Sequence, residues 1–543
     1  MAERVSPPFE PIEPVLELDD IQGAVVPGFL KQYQTLAGIN CGDSFDQAKD
    51  LRRFVGIVSK LVTPSREALN DRRAFKALKL AGKRGEKPPV AFFGIGFSYT
   101  GLLKLTPSAR SIPSEAFRLG LKERSSLLGD PVDSAEKGNP ANWIVGGKSG
   151  DLDALVLIAG DTPECVAEGT SKIQAAIKKT NLTQSYIEVG SVRSDLPGHE
   201  HFGFDDGISQ PGIRGRATSG SADFITDRHV DPKQTPEYWL FGYPGQTLIW
   251  PGEFVFGYPS SSPDPLRPGP TASITPDWTR NGSFLVFRRL RQDVSLFWQT
   301  MRQEAKRLSA LDGFKTITEV ELASKLVGRW PSGAPVNRTP EKDDTDLGKC
   351  SLANNYFRFD SDTLPLPLKK GKDEFLMATA DPVGTTCPWA AHIRKVNTRD
   401  SGSDMGTQDS TYKRRLLRVG IPFGKPLADP YAKPEDDPEE GNRGLLFLSI
   451  QSSIEDQFEF LCSRWANDPT RPKNPGGHDF IIGQNGAPDE YRQRTCTLFG
   501  TEYKSEQLQT TAQWVIPTGG GYFLLPSLSA LQNVLAASED EGK

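Results

Sequence analysis

Short apolar runs alternate along this chain with longer stretches whose apolar residues fall every three or four positions. Phe54–Val62 (FVGIVSKLV), Val90–Phe97 (VAFFGIGF), Ala154–Ala159 (ALVLIA) and Ser185–Val189 have the length and composition of strands. Thr63-Pro64-Ser65 predicts a helix running through Leu80, because Ser and Pro are start signals. A second helix carries Val166, Thr170, Ile173 and Ile177, whose spacing puts all four on one face. The first half therefore reads βαβ, a long helical insert, then βαβ. The second half repeats that grammar. Phe284–Arg289 reads as a strand, and Val294, Phe297, Trp298 and Met301 form a helical stripe. Leu416–Phe423 and Leu445–Ile450 are strand-like, Phe458, Leu461 and Trp465 form another stripe, and Gly521–Leu525 closes as a strand.

Two such halves predict an α+β protein with a duplicated ferredoxin-like fold, two βαββαβ units with antiparallel sheets. The expected boundaries are an irregular, Pro-rich extension over 1–50, an N-terminal domain over 51–258, and a C-terminal domain over 279–543. A Pro/Ser-rich connection, 259–278, separates the two.

Composition removes several classes. Lys and Arg total 64 against 69 Asp and Glu, a net charge of −5. No basic footprint for nucleic acid is present. With 37% hydrophobic and 24% charged residues the chain is globular. No apolar run approaches the roughly 20 residues of a membrane helix, so no membrane partner is expected. The opening MAERVSPPFEPIEP has no apolar core of a secretory signal. A cytoplasmic location is expected, and leaderless export or encapsulation is compatible with the same feature. Six cysteines lack CxxC and CxxCH spacing, which argues against structural zinc and against covalently attached c-type haem. The acidic stretch Ala428–Asn442 reads as a solvated surface loop, with a weak cation site as the other reading.

Candidate chemistry is confined by having only five histidines. HExxH, GxSxG and Walker A patterns are absent. Two segments stand out. His201–Ile213 (HFGFDDGISQPGI) sets two adjacent carboxylates between glycines, which permit close backbone approach to a flat ligand. Cys387–Asp400 (CPWAAHIRKVNTRD) places His392 beside Arg394, Lys395 and Arg399. Cationic neighbours oppose protonation and leave a neutral imidazole that can ligate metal. One such imidazole with basic residues suits haem, which has one metal and two propionates. A histidine in an ordinary basic turn is the alternative on this ground alone.

Gly203-Phe204-Asp205-Asp206-Gly207 resembles the GxxDG signature of the dye-decolorizing peroxidases. Cys387–Lys395 resembles the proximal-histidine segment of that family, and Arg418–Gly424 (RVGIPFG) its distal-arginine strand. Ile21–Phe29, Gly328–Pro335 and Phe523–Leu531 also match, so the resemblance spans most of the chain. Length and the missing signal are similar to the larger intracellular-type members. Two positions depart. Asn397-Thr398-Arg399 stands where Asn-Pro-Arg is frequent, and Phe423 stands where many secreted members have a tyrosine treated as an electron relay.

The resemblance implies a peroxidase that uses hydrogen peroxide to oxidise dyes, phenolics or other one-electron donors, with Mn(II) as a further reductant to consider. It implies one non-covalent haem b per chain, between the sheet and the helices of the C-terminal half. His392 would be the proximal iron ligand. Asp206, at the fourth position of GxxDG, would move the peroxide proton, and Arg418 would stabilise the departing oxygen. Arg394 would meet a propionate; Glu455 would accept the His392 N–H, with an acid at a helix N-terminus as its other reading; Leu446 and Leu448 would line the distal side, with ordinary core packing as their other role. Trp389 and Tyr412 are candidate electron relays, with core packing as their other role. A haem-binding or haem-processing protein with incidental peroxidase activity is the alternative. The presence of both Asp206 and Arg418 favours the enzyme, because haem carriage needs neither.

Overall fold

In a computed structural model, residues 11–536 are described apart from 148, 149, 151, 232–235, 433–436, 438–440, 475 and 487–491. Strands β1 (Tyr33–Asn40), β2 (Ala91–Phe97), β3 (Ala154–Gly160) and β4 (Thr183–Ser191) belong to the first half. Strands β5 (Ser283–Gln292), β6 (Leu417–Arg418 and Ile421–Phe423, interrupted between), β7 (Gly444–Gln451) and β8 (Val515–Leu525) belong to the second. All pairings among them are antiparallel.

Within each half the strands lie in the order fourth, first, third, second. The first half reads β4-β1-β3-β2 and the second β8-β5-β7-β6. This is the order expected of a βαββαβ unit, found twice. The halves join at two seams, where Leu524 of β8 meets Phe97 of β2 and Phe423 of β6 meets Gly190 of β4. The eight strands therefore close into a barrel, which leaves no edge exposed.

Alternation along each strand divides the apolar residues. Leu36, Leu157, Phe287, Leu446, Leu448 and Phe523 belong to one buried cluster inside the barrel. Ala37, Val156, Ile158 and Ile95 point outward and pack under helices α1 (Phe45–Val58) and α3 (Pro163–Lys178). Helix α2 (Ser65–Leu80) follows α1, and α4 (Val294–Leu308) buries the expected stripe Val294, Phe297, Trp298 and Met301.

Three sequence expectations change here. Phe54–Val62 is not a strand, because its first residues end α1. Leu51, Phe54, Val55 and Val58 are buried at helical spacing, and Ser44 with Gln47 forms a capping box that starts the helix. The first strand is instead Tyr33–Asn40, inside the stretch expected to be an irregular extension over 1–50. Residues 33–40 of that stretch are part of the barrel. The 259–278 connection is also not bare linker, since Tyr258–Ser261 pairs with Pro268–Ala272 as a hairpin.

Candidate functional site

A cavity of about 310 Å³ lies against the outer face of the second half's sheet. Its floor follows from register. Leu445 and Phe447 of β7 stand opposite Leu290 and Arg288 of β5, and Pro517 of β8 stands opposite Leu290 from the other side. Leu446 and Leu448 take the other face of β7 and fill the barrel. They do not line the cavity, which corrects the sequence expectation. The two side chains chosen were one position out of phase, and one position in a strand is the opposite face.

His392 opens a short helix, His392–Val396, in the long crossover between β5 and β6. Its Nδ1–H donates to Asp479 Oδ2 at 2.8 Å. Asp479 is fully buried in the crossover between β7 and β8 and also accepts the amides of Ile481 and Ile482. Burial alone would raise the Asp479 carboxyl. His392 and those two amides outweigh it and hold the group below its ordinary value. A ring committed at Nδ1 keeps its Nε2 lone pair for a metal. His392 lines the cavity.

Glu455, expected in the Asp479 role, sits elsewhere. It accepts from Ser114 Oγ and from the Ala116 amide, both at 2.8 Å. It thus satisfies the start of helix Glu115–Arg124 in the first half, where a carboxylate also meets the favourable end of the helix dipole. Arg394 is likewise corrected. It is completely buried outside the cavity lining, donates to the carbonyls of Cys387 and Asp381, and stacks over Trp389 at 3.8 Å. It braces the turn before His392. Trp389 and Tyr412 are both buried, Trp389 donating to Pro382 O and Tyr412 packing in the barrel cluster.

The GxxDG segment lies in the connection between the halves. Glu200 organises it by accepting the amides of Phe202 and Phe204 at 2.8 and 2.9 Å. Burial pushes the Glu200 carboxyl up to about 6. Gly203 and Gly207 take φ of +97° and +84°, conformations in which a side chain would be strained. Asp205 and Asp206 both face the cavity. Burial moves Asp205 up to about 6. Asp206 Oδ1 accepts from Arg418 Nη1 at 3.3 Å, and Arg418 Nη2 donates to Ser209 O at 3.1 Å. Gln210 bonds both backbone groups of Arg418, stapling the loop to β6.

Of three further buried arginines, sequence reasoning named only Arg399, among the cations beside His392. Arg329, Arg399 and Arg415 are buried, and burial lowers all three, Arg329 and Arg415 to about 10. Arg329 and Arg415 line the cavity. Arg329 and Arg399 bond carbonyls, Ser209 and Asn355, and Arg415 donates to Thr411. Among the described residues none of the three has a carboxylate in ion-pair range. Buried cations ordinarily have an anion, so the wall is prepared for a carboxylate ligand. Arg329 comes from Gly328–Pro335, a segment the sequence did single out. Asp479 had no such mark, being 87 residues from His392.

These groups fit haem: one imidazole hydrogen-bonded to Asp479 through Nδ1, an apolar floor for a flat ring, and guanidinium groups without an ion-pair partner among the described residues for its carboxylates. Among the described residues no group of three or more His, Cys, Asp or Glu side chains is placed to hold a metal ion. Within the acidic stretch Ala428–Asn442, residues 433–436 and 438–440 lie outside the described residues.

Comparison with known proteins agrees. A family model described as the DyP dimeric alpha+beta barrel domain matches residues 20–194. Peroxidase 2 of Mycetinis scorodonius is 30% identical, over 82% of this chain and 77% of its own. A dye-decolorizing peroxidase of Exidia glandulosa is 29% identical over 96% and 88%. The solved structure of an ancestral D-type dye decolorizing peroxidase superposes with a TM-score of 0.72 at 31% identity, covering 96% of this chain and 100% of that one.

Proposed function

The chain belongs to the dye-decolorizing peroxidase family, and on that premise we propose that it is a haem peroxidase that uses hydrogen peroxide to oxidise dyes and other one-electron donors. Members of this family are haem enzymes. In this chain the group is read as one non-covalent haem b, with His392 Nε2 as the protein ligand to iron. Arg329 and Arg415 would hold its carboxylates. When bound, haem supplies an iron centre that binds peroxide and stores oxidising equivalents.

The observation that carries this reading is the placement of two devices on one cavity. On one wall, His392 is fixed by Asp479. Elsewhere on the lining, Asp206 and Arg418 form a pair in hydrogen-bond contact.

Each of these side chains has a separable task. Asp479 accepts the Nδ1 proton, fixes the His392 tautomer and makes the ring a stronger donor. With haem bound, Asp206 would take a proton from peroxide and return it to the departing oxygen, so that water would leave rather than hydroxide. Arg418 would direct guanidinium N–H groups toward the negative charge that develops on the departing oxygen. Its contact with Asp206 also orients that carboxylate. The apolar floor of Leu445 and Phe447 lowers the polarity of the same space, which strengthens these charge interactions.

The test is to purify the chain with haem, mix it with peroxide, and follow the haem spectrum and then dye bleaching. Spectral change with turnover supports the assignment. Haem bound without peroxide reactivity would return the chain to simple haem binding.

A further inference from the structure

Two buried cations, Lys395 and Arg494, carry no part of the chemistry above, yet both are spent on the backbone around Asp479. Lys395 lies three residues beyond His392 on the same short helix and is inaccessible to solvent. Its Nζ donates to three main-chain carbonyls: Asp468 O at 2.9 Å, Gly477 O at 2.7 Å, and Arg471 O. Three acceptors need three donors, which a lysine has only as the ammonium ion. Arg494 is 1% exposed. Its guanidinium donates to Phe480 O at 3.1 Å and Gly483 O at 2.7 Å, and also to Ala512 O.

Neither cation has a carboxylate within ion-pair distance among the described residues. Burying an ammonium and a guanidinium without anions is costly. What they hold is specific. Lys395 takes carbonyls on the N-terminal side of Asp479, and Arg494 takes carbonyls on its C-terminal side. Between residues 467 and 483 the described backbone forms mostly turns, with one isolated bridge from Gly477 to Cys496, so these carbonyls lie outside any regular helix or ladder. The Asp479 amide is tied to Ala466 O at 2.9 Å, and His478 bonds Thr495 through both its amide and its ring. The turn that aims Asp479 at His392 is thus clamped on both sides by buried positive charge. Each clamp is close enough for Asp479 to be the carboxylate that most favours its charged form.

We propose that Lys395 and Arg494 are positioning residues that fix the Asp479 carboxylate on His392 Nδ1 and thereby set how strongly His392 donates to the iron. This rests on the haem reading above. Loosening either clamp lets the Asp479–His392 hydrogen bond lengthen. The imidazole loses anionic character, its bond to iron weakens, and the ferrous state becomes easier to reach.

The experiment compares holoenzymes carrying Lys395→Met, Arg494→Met and Asp479→Asn with the unaltered chain. It reads the iron–histidine stretching frequency of the ferrous form by resonance Raman, together with the ferric/ferrous reduction potential. Asp479→Asn sets the full shift, a lower frequency and a higher potential. Lys395→Met and Arg494→Met are expected to move part of the way in the same directions. Where a methionine variant fails to fold, Lys395→Gln and Arg494→Lys, which keep some donors, take its place with a smaller shift. Frequencies and potentials at the unaltered value in folded clamp variants, with Asp479→Asn shifted, would overturn the proposal. A chain that binds no haem at all would instead overturn the reading on which it rests.

Discussion

Arg418 Nη1 lies 3.3 Å from Asp206 Oδ1, across 212 residues of sequence. Asp206 comes from the link between the halves and Arg418 from a barrel strand, so the pair exists only because the second half's sheet closes onto that link. A base and a fixed cation in contact divide one step, moving a proton and stabilising the charge left behind. Asp206→Asn should slow the reaction with peroxide by about 10²–10⁴-fold, the usual range for a lost general acid–base group. Arg418→Leu should cost about 10²–10³-fold. The double variant should lose less than the product of the two, because groups acting as a unit are not additive. Stopped-flow loss of the resting haem spectrum measures all three. Normal rates in Asp206→Asn with a dead Arg418→Leu would leave proton movement to water.

Adjacent residues of β7 should behave oppositely. Leu446 is fully buried in the barrel, so Leu446→Ala should lose about 2–5 kcal/mol of stability while peroxide reactivity in the folded protein stays near normal. Phe447 lines the cavity, so Phe447→Ala should alter the haem spectrum and peroxide rate. Denaturant titration and rapid mixing on both variants check the assignment of faces.

The unpaired arginines of the wall should hold haem in place. A charged hydrogen bond contributes about 1.5–3 kcal/mol. Arg415→Leu or Arg329→Leu should therefore release haem to an apoglobin acceptor roughly 10–100 times faster. An unchanged release rate in both would place the haem carboxylates elsewhere.

Glu200 gives a pH signature in stability. Its folded value near 6 lies above the ordinary 4.5. The folded state therefore holds a proton that the unfolded state has released between those values. Its contribution is fully favourable below about 4.5 and is lost as pH rises through about 6, by about 1–2 kcal/mol. The difference in unfolding free energy between the unaltered chain and Glu200→Gln should change by that amount between pH 4.5 and 7. A difference independent of pH would show that Glu200 titrates normally.

The sequence made the strand order recoverable wherever apolar runs were short and bounded, as at β2, β3, β5 and β7. It misled at Phe54–Val62, where a helix end and a strand share the same apolar density and only the Ser44/Gln47 cap separates them. Within the site, His392, Asp206 and Arg418 were legible because each sits in a local motif. Asp479 was not, because its partnership with His392 is made by two crossovers meeting over the sheet. Arg394 was chosen for its nearness to His392 in sequence. Two residues along the short helix turn it away from the cavity and onto Trp389.

The most direct measurement is the absorption spectrum of the haem-loaded chain beside that of His392→Ala. The unaltered chain should show a histidine-ligated ferric haem whose Soret band changes on adding peroxide. His392→Ala should fail to retain haem or show a strongly shifted band. A variant spectrum identical to the unaltered one would move the ligand to another of the five histidines and contradict the site as assigned.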